Sequence, residues 1–246
     1  MLAALRSTIN HKALNARFAR RGPWITKFHI DGHDYGGWFD PTPPADVRID
    51  TFAAHFPGAR RILELGTLEG GHAFQLARLP GVREVVAVEA RESNLERARF
   101  VRRVLGIENV KLVQGDLETL AIGSLGWFDA IFCAGLLYHL TRPWDLAHRM
   151  RAISPDLFLS THYAAEDKAD TVANGLHGLT YREGGIASPL AGLSPTAFWP
   201  TLDSLVRMLK EVGYRDITIT KDRPDHLNGP AVHLVAKGES PPTITP

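Results

Sequence analysis

Cysteine, net charge and long apolar runs are all scarce in this sequence. Cys133 is the single cysteine among 246 residues, which excludes an intrachain disulfide and a zinc site built from several thiolates. No run of 18 apolar residues occurs, so we predict no membrane span. A formal net charge of +1 gives no overall signal for binding nucleic acid or a membrane surface. A cytoplasmic enzyme is the default expectation.

Acidic residues are absent from the first 27 positions. The basic residues in this stretch are Arg6, Lys12, Arg17, Arg20, Arg21 and Lys27. Two interpretations stay open, namely the solvated face of an N-terminal helix and a segment that contacts phosphates. The apolar start MLAALR is too short for a secretory signal, although an Arg-rich, acid-free start is also typical of organelle transit peptides.

The hydrophobic pattern predicts an α/β fold. Strands are expected at 61–66, 84–89, 110–115, 128–134 and 156–162, with helices between most of them, of which 94–105 is the clearest. Such apolar strands separated by helices form parallel sheets covered on both faces. Two more strands, 215–220 and 231–237, are joined by a link too short for a helical crossover, so they should be antiparallel. We therefore predict a doubly wound, mainly parallel seven-stranded sheet with an antiparallel last strand.

Several segments are additions to this sheet. A hairpin is predicted at 24–39 because Asp31-Gly32 suits a type I′ turn, and Ser93 with Glu96 predicts a capping box for the helix that follows the second strand. Residues 164–195 lack a clear period, which is typical of an irregular lid or binding loop. The predicted organisation is an N-terminal helix and hairpin cap (1–57), a core domain (58–238) with an insertion (164–195), and a loose tail (239–246).

A glycine turn, ELGTLEGG at 64–71, follows the first strand of the predicted sheet. Leu68 replaces the middle glycine that lets a backbone approach a pyrophosphate. The Walker lysine is missing as well, which excludes a P-loop. The Glu64 carboxylate would repel a phosphate but can help to hold an ammonium group, directly or through water. The turn therefore favours a ligand that is smaller and less negative than a dinucleotide.

Acidic residues end the next two strands. Glu89 lies 23 positions after Gly66, where doubly wound folds place the acid that binds ribose hydroxyls. Asp116 ends the third strand and can meet an adenine amino group. Ribose, adenine and an amino-acid moiety without phosphate describe S-adenosylmethionine (SAM).

The order of motifs E-L-G-x-x-x-G, V-x-V-E, x-G-D and F-D-x-I-F-C-x-G-L-L-Y-H-L resembles class I SAM-dependent methyltransferases over roughly residues 58–238. The resemblance implies a seven-stranded sheet with an antiparallel last strand. It also implies cofactor contacts from Glu64, Gly66, Thr67, Gly70, Glu89, Ala90, Asp116, Leu117, Cys133, Ala134 and, as a further candidate, Tyr138. Segments 135–146 and 198–214 resemble a branch with tRNA wobble-uridine carboxymethyl-transferring enzymes and many small-molecule methyltransferases.

Two histidines are candidates for the chemistry. Methyl transfer mainly needs alignment of nucleophile and methyl group, but a hydroxyl acceptor must also lose its proton, and histidine is the usual base near neutral pH. His139 follows the fourth strand and His162 ends the fifth, both at the ligand-binding edge. Each can instead be a packed or capping histidine. Glu166 and Asp167 are two oxygen ligands without a third, so we predict no metal.

Substrate contacts are expected from the additions. The candidates are His33, Tyr35 and Trp38 in the hairpin, Tyr163, His177, Tyr181 and Arg182 in or beside the insertion, and Trp199. Aromatic side chains around a pocket suit sugar faces or planar rings. The alternative is that Trp38 and Trp199 only pack the hairpin and loop onto the sheet.

The favoured function is methylation of a small molecule at a hydroxyl group, for example on a saccharide or a ring, with a histidine base. RNA modification is the first alternative, because of the wobble-uridine resemblance and the basic N-terminus. A non-catalytic SAM-binding protein is the second, and an NAD dehydrogenase is the least favoured because of Leu68.

Overall fold

A computed structural model describes residues 9–185 and 188–239. Arg6 and all but the first residue of the predicted tail lie outside these ranges. The helices are α1 (His11–Ala19), α2 (Arg48–His55), α3 (Gly71–Leu76), α4 (Glu92–Leu105), α5 (Pro143–Arg151) and α6 (Leu202–Glu211). In the part of the chain that the structure describes, none of them is long and apolar enough to cross a bilayer.

The residues that the structure describes form twelve strands in three sheets. They are β1 (Lys27–Ile30), β2 (His33–Gly36), β3 (Arg61–Leu65), β4 (Glu84–Glu89), β5 (Val110–Gln114), β6 (Ala130–Ala134), β7 (Asp156–His162), β8 (Thr171–Ala173), β9 (Leu176–Arg182), β10 (Thr196–Pro200), β11 (Tyr214–Arg223) and β12 (Ala231–Gly238).

The main sheet has the order β11-β12-β7-β6-β3-β4-β5. Strand β12 runs antiparallel to both of its neighbours, and the remaining pairs are parallel. The predicted fold is therefore confirmed. The central strands of this sheet are apolar on both faces, because both faces of the sheet are covered. For example, Ile62, Leu63 and Leu65 of β3 have no exposed surface. The carboxyl ends of β3 to β7 meet at one edge, which is where such sheets bind ligands.

The N-terminal cap forms the predicted hairpin. Asp31 (φ 48°) and Gly32 (φ 76°) join β1 to β2, and both take the positive φ that a type I′ turn requires. Buried aromatic rings of this region, among them Phe18 and Phe28, pack toward Phe100 of α4 and Phe74 of α3. The hairpin is thus attached to one face of the main sheet through the helices that cover it.

The insertion is more regular than the sequence predicts. Strands β8 and β9 lie within it, and β9 pairs antiparallel with β8 on one side and with β10 on the other. The prediction of an irregular segment was wrong here, because β9 buries only Leu176 and Gly178 and so shows too short an alternation to recognise. A Cβ atom at Gly178 would lie 2.3 Å from the Trp199 carbonyl oxygen, so a glycine is needed for this close pairing.

Candidate active site

The glycine turn between β3 and α3 contains three residues in left-handed conformation. These are Gly66 (φ 78°), Leu68 (φ 53°) and Gly70 (φ 87°). Leu68 thus takes a conformation in which glycine is the commonest residue, and its amide donates a hydrogen bond of 2.9 Å to Oε2 of Glu89. A Cβ atom at Gly70 would lie 2.5 Å from the Phe74 ring, so this contact and the positive φ both favour glycine at this position.

Glu89 links the turn to the end of β4. Its second oxygen, Oε1, accepts a hydrogen bond of 2.9 Å from the amide of Arg91. Burial raises the pKa of Glu89, while these two backbone amides act in the opposite direction. Each carboxylate oxygen has a further lone pair, so Glu89 can also accept hydrogen bonds from ribose hydroxyls at the edge of the cavity that it lines.

Glu64 lies beneath the turn and is 2% exposed. Its Oε2 accepts a hydrogen bond of 2.6 Å from Oγ1 of Thr67. Burial raises the pKa of Glu64 to about 8, and the nearby Glu89 adds to this. Glu64 is not among the residues that line the cavity, whereas Thr67 is. A ligand ammonium would therefore reach Glu64 most directly at the position of Thr67.

A cavity of about 280 Å³ opens at the carboxyl ends of the parallel strands. Most of the predicted cofactor residues surround it, namely Gly66, Thr67, Glu89, Ala90, Asp116, Leu117, Ala134 and Tyr138, together with His139. We call it the cofactor cavity. Gly70 and Cys133 lie behind its wall. Gly70 is the N-cap of α3, and Cys133 is fully buried in β6, where burial raises the pKa of its thiol to about 12.

The insertion closes one side of the cofactor cavity. Residues 189–194 line it, and Nη2 of Arg91 donates to the carbonyl oxygens of Ser188 (3.2 Å) and Ala191 (2.9 Å). The N-terminal cap adds Ile25, Thr26 and Arg48. Sequence reasoning missed these contacts, because nothing in the local pattern shows which distant carbonyl a surface arginine will meet.

A second cavity of about 510 Å³ adjoins the first, and we call it the acceptor cavity. Five residues line both cavities: Trp38, Phe39, Arg48, Gly135 and Tyr138. The rest of the acceptor cavity comes from α2 and its preceding loop and from the ends of β7, β11 and β12, including His162, Lys221, Arg223, His226 and His233. Burial raises the pKa of Tyr138 to about 12, so its hydroxyl stays neutral between the two spaces.

His139 is paired with a buried glutamate from the insertion. Its Nδ1 lies 2.8 Å from Oε1 of Glu183, whose side chain is 2% exposed. The other oxygen of Glu183 accepts a hydrogen bond of 2.8 Å from the amide of Gly192. Burial lowers the pKa of His139, and the Glu183 carboxylate opposes that shift. Glu183 is a further residue that sequence reasoning missed, since it lies 44 positions away.

His162 is held by backbone and aromatic contacts instead. Its Nδ1 lies 3.0 Å and 3.1 Å from the carbonyl oxygens of Gly229 and Pro230. Its ring stacks on Trp199 with centroids 5.2 Å apart, and Tyr138 meets it edge-on at 4.6 Å. Burial lowers the pKa of His162, and the two carbonyls raise it. Both candidate histidines therefore flank Tyr138, since the His139 ring lies 4.1 Å from it.

The structure does not bring most of the predicted substrate residues to either cavity. His33 stacks on His11 at 3.8 Å, and Tyr35 is buried against Phe18, because the hairpin packs through this side. Tyr163 donates to Asp222 at 2.9 Å. Trp199 is buried and stacks between the rings of His162 and Tyr181, so it supports the wall. His177 and Arg182 also lie outside both cavities, whereas Trp38 lines both of them.

Comparisons with known proteins agree with the fold. A family model described as a methyltransferase domain matches residues 58–165. The crystal structure of the N-terminal domain of EvdMO1 in the presence of SAH and D-fucose is 36% identical to this chain, with a TM-score of 0.83, and covers 94% of this chain and 98% of that one.

Curated relatives include a methyltransferase and a carboxymethyltransferase. Protein-L-isoaspartate O-methyltransferase 2 of Rhodopseudomonas palustris is 38% identical over 100 residues, which are 41% of this chain and 45% of the relative. A tRNA U34 carboxymethyltransferase of Actinobacillus pleuropneumoniae is 24% identical over 204 residues, 80% of this chain and 57% of the relative. The chain spans about half the length of the curated relatives it matches. It belongs to the class I SAM-dependent methyltransferases, enzymes that use S-adenosylmethionine as methyl donor.

Proposed function

We propose that this enzyme transfers the methyl group of SAM to a hydroxyl of a small molecule, with His139 as the general base. The observation that carries the proposal is the 2.8 Å contact between Nδ1 of His139 and Oε1 of Glu183, at the wall of the cofactor cavity. A carboxylate in this position keeps the proton on Nδ1. The lone pair is then on Nε2, which is the basic atom.

The reaction needs three events at this place. The acceptor oxygen attacks the sulfonium methyl carbon in line with the carbon–sulfur bond, and SAH leaves with the bonding electron pair. Nε2 of His139 takes the hydroxyl proton, which gives a neutral ether and an imidazolium. Glu183 stabilises that imidazolium by charge. Because burial lowers the pKa of His139, the imidazole is neutral at the start of the cycle near pH 7.

The cofactor contacts are proposed from the same geometry. Glu89 accepts from the ribose hydroxyls, Asp116 meets the adenine amino group, and the turn around Thr67 faces the methionine moiety. We expect these contacts to direct the reactive methyl group toward Tyr138, which lines both cavities, and His139, which lines the cofactor cavity.

His162 is proposed to orient the acceptor. Its Nδ1 is committed to two backbone carbonyls, so Nε2 remains as an acceptor for a substrate hydroxyl. Stacking on Trp199 holds the ring at a fixed angle in the wall of the acceptor cavity. A saccharide or an aromatic ring with several hydroxyls suits this polar space beside Trp38. The D-fucose named with the EvdMO1 domain also supports a saccharide acceptor.

The test combines a structure with a pH profile. A crystal structure with SAH bound should place His139 or His162 within about 6 Å of the sulfur, roughly two hydrogen-bond lengths; failure of both would overturn the base assignment. With D-fucose, D-galactose and catechol as acceptor probes, Glu183→Gln should lower kcat about 10²-fold and leave SAH affinity unchanged.

The direction of the pH shift follows from the pair. Because Glu183 raises the pKa of His139, its removal should move the acidic limb of the kcat/KM profile to lower pH. His177→Asn is the matched control, since His177 is exposed on β9 and lies outside both cavities. An unshifted profile in Glu183→Gln would contradict the pairing of the two residues in catalysis.

Modification of tRNA is the second candidate, favoured by the similarity to the U34 carboxymethyltransferase and by the basic start of the chain. Two of those basic side chains, Arg17 and Arg21, lie over the Phe100 ring at 5.0 Å and 4.3 Å, so part of this charge has a packing role. Salt-sensitive binding of tRNA would support this candidate. Absence of binding at low salt would exclude it.

A further inference from the structure

Basic side chains form two aligned rows on one face of the main sheet, at the acceptor cavity. In the strand register Lys221 lies opposite His233, which lies opposite Ser160. Two positions along, Arg223 lies opposite Ala231, which lies opposite His162. Alternate residues of a strand share one face, so both rows point to the same side. The six residues all line the acceptor cavity.

The positive charge of these rows is not neutralised locally. Lys221 and Arg223 form no ion pair within the part of the chain that the structure describes. The cavity also contains two carboxylates, Asp40 and Asp46. Both carboxylates bind other groups, so they do not offset the positive charges of Lys221 and Arg223 at short range.

Asp40 lies 2.8 Å from Nε2 of His29 and accepts from the amide of Thr42 at 3.0 Å. Asp46 accepts from Arg48 at 2.5 Å, and Nε2 of His72 lies 2.8 Å from the same oxygen. These contacts hold the pKa of Asp46 well below its usual range, against its burial. Arg48 is thus the cation that Asp46 neutralises, and Lys221 with Arg223 remain.

His233 lies in the field of these charges. Burial is the largest cause that lowers its pKa, to about 4, and the charges of Arg48, Lys221 and Arg223 lower it further. Asp46 opposes them and does not cancel them. His233 is therefore neutral at pH 7. A positive field in a concave, partly desolvated wall is what an anionic ligand group requires.

We propose that the methyl acceptor carries an anionic group, a phosphate or a carboxylate, which Lys221 and Arg223 bind at the far end of the acceptor cavity. This inference rests on the proposed function, because it assigns the acceptor to this cavity. The hydroxyl to be methylated lies near Tyr138 and His139, and the charged group extends along the rows past His162. A cavity of about 510 Å³ is within the range that holds a sugar with one such group.

The chemistry of the two side chains fits either group. The guanidinium of Arg223 matches two oxygens of a phosphate or carboxylate at once, and the Lys221 ammonium adds a point charge. Both residues are exposed at the strand end, so an acceptor can reach them from solvent. Both alternatives imply the same class of methyl acceptor, namely a polyhydroxylated or ring scaffold that carries a negatively charged, oxygen-rich group.

Calorimetry on the full SAH-loaded protein tests this with matched probes. D-Galactose, D-galactose 1-phosphate and D-galacturonate share one ring and differ in charge, and inorganic pyrophosphate supplies charge without a ring. We expect at least one anionic probe to bind about tenfold or more tightly than D-galactose. Comparison of D-galactose 1-phosphate with D-galacturonate shows whether the site prefers a phosphate or a carboxylate. Binding should weaken as salt rises from 10 to 200 mM, because a partly exposed pair is screened.

The double variant Lys221→Gln/Arg223→Gln should abolish the advantage of the anionic probes. Arg215→Gln is the matched control, since Arg215 is an exposed cation on the same strand, about 20 Å from Lys221 at the usual strand rise, and should bind the probes as the wild type does. If no anionic probe binds the wild type more tightly than the double variant at 10 mM salt, the inference is overturned. Equal loss in Arg215→Gln would overturn it too, because the effect would then be general charge.

Failure of the proposed function would look different. The probes are followed by binding, not turnover, so anion binding that depends on Lys221 and Arg223 stands even if Glu183→Gln leaves methyl transfer unchanged. The opposite result is that Glu183→Gln lowers turnover as expected but no anionic probe binds preferentially. In that case His139 would stand as the base, and an anionic acceptor would be excluded.

Discussion

Glu69 of the glycine turn binds the backbone of Thr26 in the N-terminal cap, with 2.7 Å between Oε2 and the Thr26 nitrogen. The same oxygen accepts from the amide of Ile25 at 3.0 Å. Glu69 is 1% exposed, and Thr26 and Ile25 both line the cofactor cavity. One side chain therefore joins the turn of the cofactor cavity to the segment that covers it.

Replacing this carboxylate should loosen the cap. In Glu69→Gln the buried amides lose a charged acceptor, and the new amide group brings hydrogens that face them. We expect a loss of about 1–3 kcal/mol in the free energy of unfolding, measured by urea denaturation, together with weaker SAH binding. Glu96→Gln on the exposed side of α4 is the control and should change neither. Wild-type stability in Glu69→Gln would show that the contact contributes nothing.

Glu64 should make the stability of the cofactor-free enzyme depend on pH. Burial raises its pKa from 4.5 to about 8 in the folded protein. Below pH 4.5 both states hold the proton, so the contribution is complete. Between pH 4.5 and 8 only the unfolded state releases the proton, so stability is lost as pH rises, by at most about 1.4 kcal/mol per pH unit. Urea unfolding at pH 5, 6.5 and 8 measures this slope.

The Glu64→Gln variant is the control for this dependence of the free energy of unfolding on pH. It should lose less stability than the wild type between pH 5 and 8, and equal slopes would disprove the role of Glu64. If the ligand ammonium meets the ionised Glu64, SAH binding at pH 6.5 should also release a proton in the wild type only. Calorimetry in two buffers of different ionisation enthalpy detects that proton.

Leu68 offers a test of backbone conformation. A non-glycine residue at φ 53° costs about 1–2 kcal/mol, and glycine avoids this cost but loses about 0.5–1 kcal/mol through chain entropy. Leu68→Gly should therefore raise the free energy of unfolding by about 0–1.5 kcal/mol. Leu68→Val should lower it instead, because β-branched residues are true outliers at positive φ. Thermal melts of both variants decide it, and the reverse order would disprove the explanation.

Local pattern was sufficient to predict the main sheet. Buried apolar runs such as Ile62–Leu65 alternate with amphipathic helices, and the short link before β12 permits only an antiparallel return. The edge of the sheet where the cofactor cavity opens was predictable as well, because Gly66 and Glu89 lie at the ends of adjacent strands. These signals lie within a few residues of the elements they describe, so a single sequence contains them.

Tertiary contacts override other local signals of the sequence. Ser93 and Glu96 predict a capping box, yet α4 begins at Glu92 with Arg91 at its N-cap, so that prediction was wrong. The Arg91 amide is bound instead by Glu89, which also binds Leu68 in the turn. A carboxylate held by two elements outcompetes a capping box whose benefit is about 1 kcal/mol.

The sequence by itself determined the class of fold, the methyl donor and the edge of the sheet where both histidines lie. Only the tertiary structure decided what those histidines meet. Glu183 reaches His139 from the position directly after β9 of the small sheet, and the register of β11 on β12 aligns Lys221 and Arg223 beside the acceptor cavity. Such pairings depend on how distant segments pack, and a one-residue slip of register would turn the same cations to the opposite face.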